Sequence, residues 1–407
     1  MAESVQRLEA DAAPWLVMPE ARRLFASLAR AGGEARFVGG CVRDACLRRP
    51  VAAADLDIVT TLTPERVMAA VERAVPTGLV HGTVTVLEGA ARFEVTTLRR
   101  DIACDGRHAE VAFTTDFRAD AARRDFTVNA MSADMDGRLF DYFGGLDDLA
   151  AGRLRFVGDP ATRIEEDYLR ILRYFRFMPS LARVPAEGAV LTAIRDHASG
   201  LDRLSGERIA TEFRKLLAHP APSGALASMN DCGVSQTLFG RAFDLGPLRH
   251  LETLGVDADW LSRFVLLLRA AIDERAVAAR LRLSSAETAD LVFGCNNPLP
   301  PLGGTPAALR AFAWQAGPER AAMMAIVAVA LEGRDRATLE RASSVFRAFG
   351  RPVLPVSGRD LLSQGMVEGP GIGRLLAAIE NRWIASDFSL SRAELLDRTG
   401  PTGDDAS

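Results

Sequence analysis

Lysine is almost missing from this 407-residue chain: of its 49 lysines and arginines, Lys215 alone is lysine. Any phosphate or base that the chain grips is therefore expected to meet arginine, whose planar guanidinium can donate two parallel bonds. There is no surplus of positive charge either. The 49 basic residues face 53 acidic ones, for a net charge of −4, so the whole-chain charge announces no nucleic acid. Cysteine is scarce and odd in number: Cys41, Cys46, Cys104, Cys232 and Cys295, with no CxxC pair. That argues against a disulfide framework or a zinc site and fits a reducing compartment. Long apolar runs are lacking. The longest, 321–331, falls well short of the roughly 20 residues a membrane helix needs and reads as a buried helix. The first twenty residues carry acids and no apolar stretch behind a basic start, so they do not read as a signal peptide. A cytoplasmic soluble protein is the expectation.

What is present is ordinary globular composition, 48% hydrophobic and 25% charged, which excludes a disordered or collagenous chain. The length suggests two to four domains. The first part mixes periods. Residues 20–31 read as a helix, 35–38 as a short strand closed by Gly39-Gly40, and 42–48 as a helix start. Residues 56–60 form a β-branched run after acids. Thr63-Pro64-Glu65 reads as a helix opening, with Thr63 as cap. Residues 83–87 and 93–98 read as strands joined at Glu88-Gly89, and 130–135 and 138–142 as a second hairpin turning at Asp136-Gly137. From about Pro160 helical periodicity dominates, broken at 219–222, 297–305 and 350–355. The fold class is thus a small mixed α/β sheet domain followed by an all-helical remainder.

Chemistry concentrates early. In a strand, residues two apart share a face, so Asp55 and Asp57 in Asp55-Leu56-Asp57-Ile58-Val59 would present two carboxylates together. Such a pair repels unless a cation neutralises it, and a hard cation, Mg²⁺, suits oxygen ligands. Ahead of it, Phe37-Val38-Gly39-Gly40-Cys41-Val42-Arg43-Asp44 reads as strand, glycine turn and helix start. Backbone N–H groups there can approach a phosphate, and Arg43 can add a charged bond. A phosphate cradle followed by metal-binding acids is the layout of a nucleotidyl-transfer site.

Gly39-Gly40-x-Val42-Arg43-Asp44 followed by Asp55-x-Asp57 resembles the signature of class II nucleotidyltransferases, the group of CCA-adding tRNA nucleotidyltransferases and bacterial poly(A) polymerases. Further blocks match in order. They are His81 to Val86, Phe93 to Arg99, Asp105 to Val111 (the family's flexible loop), Arg123-Arg124-Asp125-Phe126-Thr127-Val128-Asn129-Ala130, Glu166 to Arg173, and Gly206 to Leu217. The match is dense from about 36 to 217 and thinner beyond.

The resemblance implies a catalytic head at 1–153, a helical neck with base recognition at 154–219, a helical body at 220–349 and a tRNA-binding tail at 350–407. It implies Mg²⁺ on Asp55 and Asp57, with Glu94 as a third carboxylate that completes the metal site or takes the proton of the attacking hydroxyl. Gly39, Gly40 and Arg43 would hold the triphosphate. Arg124, Asp125 and Asn129 would meet ribose and triphosphate. Asp167 and Arg170, neighbours if they share a helix face, would read the base, since cytosine and adenine both carry an exocyclic amine. Arg173 and Arg176 are implied nucleotide contacts, although a regular helix would carry Arg176 almost opposite Asp167. The expected partners are the tRNA 3′ acceptor end, CTP and ATP. The alternative readings are a bacterial poly(A) polymerase, from whose arginine-rich motif Thr77 to Val84 departs, and an A-adding enzyme. Asp196-His197 reverses the order of an HD pair, so no HD phosphohydrolase domain is expected.

Overall fold

The computed structural model describes residues 6–52, 56–104, 109–269 and 273–397. Two compact units divide the chain at Ala242 and Phe243.

In the first unit, helix α1 (Pro19–Arg30) opens on a proline at its first position and buries Ala21, Leu24, Phe25 and Leu28. It leads into strand β1 (Ala35–Val38), helix α2 (Gly40–Cys46), β2 (Asp57–Thr60) and α3 (Pro64–Ala70). Thr63 stands at the cap of α3 in extended backbone as expected, but its side chain makes no capping bond. The sheet continues with β3 (Ala74–Gly78), β4 (Thr83–Glu88) and β5 (Ala91–Thr97). Sequence periodicity does not reveal β3. It contains Pro76 and lies at the sheet edge, where a missing N–H costs no ladder bond.

A separate hairpin, β6 (Arg99–Cys104) with β7 (Ala109–Phe113), leaves the sheet. It flanks the stretch read as a flexible loop, of which 105–108 lie outside the described residues. After α4 (Phe117–Ala122) come β8 (Ser132–Ala133) and β9 (Leu139–Phe140). They pair across the turn at Asp136-Gly137, but far more briefly than the sequence suggests. The seven strands run in the order β3-β4-β5-β2-β1-β8-β9.

One register matters most. β2 and β5 run parallel, with Asp57 opposite Glu94 and Ile58 opposite Val95. Along β5, Phe93 and Val95 are fully buried while Glu94 is exposed on the other face. Hydrophobic alternation alone thus aims Glu94 away from the core and beside Asp57.

Helix α5 (Gly145–Ala151) closes the α/β part. The chain continues with α6 (Pro160–Glu166) and α7 (Leu169–Leu181). Between them Asp167 is extended, with φ −155° and ψ 104°. Phe126, Phe156, Tyr174 and Phe177 join α7 to the sheet region as ring pairs 4.9 to 6.0 Å apart, and full burial of each phenylalanine is worth about 1.5–3 kcal/mol. Next come α8 (Gly188–His197), a 3₁₀ segment (Ala198–Arg203) and α9 (Gly206–Leu217), whose inner face packs on α7. Helices α10 (Ser223–Asp231) and α11 (Val234–Phe239) complete this unit.

Every regular element of the second unit among the described residues is a helix, from Gly246–Thr253 to Arg392–Asp397. The apolar run 321–331 lies in helix Pro318–Glu332, buried on most sides. It contributes to a core with Leu309, Ala313, Leu339 and Phe346. A smaller core gathers Val356, Leu361, Ile379, Trp383 and Leu395, with Trp314 packed against it. Among the described residues no helix is long and apolar enough to cross a membrane.

Candidate active site

Gly39 has φ +72°, a left-handed value that a side chain resists. A Cβ there would also meet Arg124 Nη1 at 3.4 Å. The chain must turn sharply between β1 and α2, and glycine lets it, which brings the start of α2 to the wall of a cavity of about 750 Å³. Gly40 and Arg43 line the same wall. So do Asp57 and Glu94 at the sheet, Arg124, Asp125 and Asn129 after α4, Asp167 at the α6–α7 junction, and Arg170, Arg173 and Arg176 on α7. Every described member of the predicted set therefore converges on one cavity. Asp55 lies outside the described residues.

The side chains are linked by charge. Arg43 forms a bidentate pair with Asp44, at 3.0 Å from Nε and 2.7 Å from Nη2, and its Nη1 donates to Asn129 Oδ1 at 2.7 Å. The Asn129 amide donates to Asp125 at 3.1 Å. The other Asp125 oxygen receives Arg173 through Nε at 2.7 Å and Nη2 at 2.6 Å. Burial alone would raise the Asp125 carboxyl, but Arg173, Asn129 and the Phe126 N–H outweigh it and hold the group below the ordinary carboxylate range. Burial likewise pulls Arg176 down, an effect that the nearby Arg173 and Arg43 reinforce. Glu212 of α9, 5% exposed, opposes this at 3.2 Å from Arg176 Nε and 3.8 Å from Arg173 Nη1. Three guanidinium carbons, of Arg43, Arg173 and Arg176, lie 4.0 to 5.4 Å from the Phe177 ring centre, within cation–π range.

Two expectations from helix geometry need correction. Asp167 does not share a helix face with Arg170. It sits in extended backbone at the α6–α7 junction, where one oxygen accepts from Leu169 N at 3.1 Å and the other from Arg208 Nη2 at 2.7 Å. That break in the helix also removes the objection to Arg176. With Asp167 off the helix, the two need not face opposite ways, and both reach the cavity. Arg170 is held by Glu166 and by the carbonyls of Arg163 and Arg123, at 2.7 and 2.8 Å. Glu94 lines the cavity, and it also pairs with Arg92 at 3.3 Å on an exposed face.

Several residues escaped the sequence reading. Arg123 lines the cavity beside Arg124, and both pair with Asp120, which is 2% exposed. The spacing of Asp120 in α4, three and four residues before Arg123 and Arg124, was the available signal. Glu212 gave none, because its partners come from another helix. Lys215, the one lysine of the chain, lines the cavity too.

The described residues offer a cation two carboxylates side by side, Asp57 and Glu94, hard oxygen donors at the cavity wall. Among those residues no group of three is placed to hold a metal, so a complete donor set would draw on Asp55 or on substrate oxygens. His197 binds no such group: its Nδ1 lies 2.8 Å from Ala193 O and its Nε2 3.0 Å from Glu165.

Two family models match the chain, one described as the poly A polymerase head domain, over residues 35–155, and one as a probable RNA and SrmB-binding site of polymerase A, over 186–243. Mitochondrial CCA tRNA nucleotidyltransferase 1 of Danio rerio is 36% identical over 386 residues, spanning 89% of this chain and 86% of that relative. A CCA-adding enzyme of Streptococcus pyogenes is 43% identical over 230 residues, 56% of each chain. The solved structure of the Bacillus stearothermophilus CCA-adding enzyme in complex with CTP matches with a TM-score of 0.76 at 29% identity, covering 93% of this chain and 96% of that one.

Proposed function

This chain belongs to the CCA tRNA nucleotidyltransferases, and from that premise we propose how its residues divide the reaction. The enzyme adds or repairs the 3′-terminal CCA of tRNA from CTP and ATP, without a nucleic-acid template, and releases pyrophosphate. A poly(A) polymerase is not favoured, because the relatives that span the chain are CCA enzymes.

The observation that carries the residue assignment is the convergence of three chemistries on one cavity: a glycine turn with Arg43, a carboxylate pair, and an Asp/Arg base reader. Gly39, Gly40 and Arg43 bind the triphosphate, with Arg173 and Arg176 on the facing helix. Arg124, Asp125 and Asn129 set the ribose. Asp167 accepts from the exocyclic amine of cytosine or adenine, and Arg170 donates to the ring edge. UTP and GTP offer no such amine there, so they forgo that bond to Asp167. Asp167 keeps spare capacity for this, since each oxygen has one bond at present and a carboxylate accepts about four.

The family's transfer is metal-dependent. We assign Mg²⁺ to Asp55 and Asp57, with Glu94 beside them. Bound there, it supplies charge neutralisation for the triphosphate and a more acidic 3′-hydroxyl. The new bond joins the tRNA 3′-oxygen to the α-phosphorus, the bond to pyrophosphate breaks, and Glu94 is placed to take the hydroxyl proton.

The division into head (1–153), neck (154–219), body (220–349) and tRNA-binding tail (350–407) is part of the same proposal, as is a reducing cytoplasm. Cys41, Cys46, Cys232 and Cys295 are free thiols, which supports the latter. Transfer to tRNA lacking CCA, tRNA ending in C and tRNA ending in CC, with each nucleotide separately, tests the function. C addition to the first two and A addition only to the third is expected. Long A tails would point to a polymerase instead.

A further inference from the structure

Each arginine on the cavity wall is matched by a carboxylate, as described above. Lys215 is not. It is exposed, in the last turn of α9, and among the described residues its ammonium is the one cation of that wall with no acid partner. It stands three residues after Glu212, on the helix that backs Arg173 and Arg176. It is also the sole lysine in a chain that otherwise writes positive charge as arginine. A position where the guanidinium served equally well would be expected to carry arginine like the rest. An ammonium differs in being compact, strongly hydrated and able to turn three donors on a flexible stem.

We propose that Lys215 binds the terminal phosphates of the incoming nucleoside triphosphate and follows them as they leave as pyrophosphate. The proposal rests on the cavity being the nucleotide site. In the transfer step the α–β phosphoanhydride bond breaks and its electron pair stays on pyrophosphate, the densest anion in the reaction. The paired arginines meet that anion with charge already offset, whereas Lys215 brings an uncompensated one on a movable stem. Lys215 donates hydrogen bonds and loses no proton.

The test uses the full-length enzyme and inorganic pyrophosphate. K215A is expected to raise KM for CTP and ATP alike, by roughly tenfold, and to weaken competitive inhibition by pyrophosphate in parallel. KM for tRNA and the preference for C over U are expected to stay unchanged, because neither involves the terminal phosphates. K215R is expected to recover only part of the pyrophosphate affinity. An amine-selective acylating reagent, read by peptide mapping at Lys215, should label the native enzyme less when pyrophosphate is present. Unchanged pyrophosphate inhibition in K215A, equal labelling with and without pyrophosphate, or a shift in the tRNA KM alone would each overturn the role. If pyrophosphate fails to compete with CTP in the unaltered enzyme, the cavity reading itself falls.

Discussion

Individual side chains at this site matter mostly through their partners. Asp57 stands at the end of β2 with Glu94 opposite, so Asp57→Ala removes one of two facing carboxylates. Transfer should fall to background while tRNA binding, followed by gel shift, is retained; substantial residual transfer would count against the assignment. Asp125 gives a pH prediction. Its carboxyl is depressed in the folded state by Arg173 and Asn129, which outweigh burial. The stabilisation is therefore full above the ordinary carboxylate value of about 3.9 and is lost as pH falls through the depressed folded value. Asp125→Asn should lower the urea midpoint near neutrality and flatten its decline in acid. A parallel decline in both proteins would contradict this. The sequence displayed these residues well, because a DxD spacing or a GG-x-VRD string is local. It could not display Glu212 as a counter-ion, since its burial beside arginines of another helix is set by packing between helices.

At the scale of elements, the junction between α6 and α7 decides where the proposed base reader, Asp167, stands. The helical spacing of Glu166 to Arg173 reads as one helix, and the structure breaks it at Asp167. The break is held from the far side. Gly200, in the 3₁₀ segment, lies so close to Tyr168 that a Cβ would come within 2.1 Å of the ring, and Arg208 of α9 bonds Asp167. Gly200→Ala should push Tyr168 away at a cost of about 1–3 kcal/mol, lowering the thermal midpoint and kcat/KM for CTP and ATP together. Gly188→Ala, where a Cβ meets nothing within 4 Å, is the control and should change neither. The strands were more legible than this junction. The pattern of Phe93, Glu94 and Val95 states which face is wet, whereas nothing local states that a helix will stop for one residue. The edge strand β3 was hidden for a related reason: with Pro76 inside and one side unpaired, its ladder is half the usual one.

For the whole molecule, a net charge of −4 misleads. Seven basic side chains against five acidic ones line the cavity, so positive charge is gathered locally where phosphates are proposed to arrive, despite the acidic total. We expect tRNA affinity to fall steeply with salt, as counterion release demands. Filter binding at low and moderate ionic strength would reveal it, and a flat response would refute it. The helical second half was legible as a class, through its periodicity and its Pro- and Gly-rich breaks. Its proposed tRNA contacts were not, because an arginine on a solvated helix looks the same whether or not a phosphate ever arrives.

The lone amine of α9 has one more use. A lysine-specific protease can cut this chain at a single peptide bond, after Lys215. That bond lies in the last turn of a helix whose Ile209, Phe213, Leu216 and Leu217 are buried. Proteases need an extended strand of substrate, so the cut waits for the helix to unravel locally. The rate at which one band becomes two would therefore report, without any label, how often the wall behind the arginines comes apart.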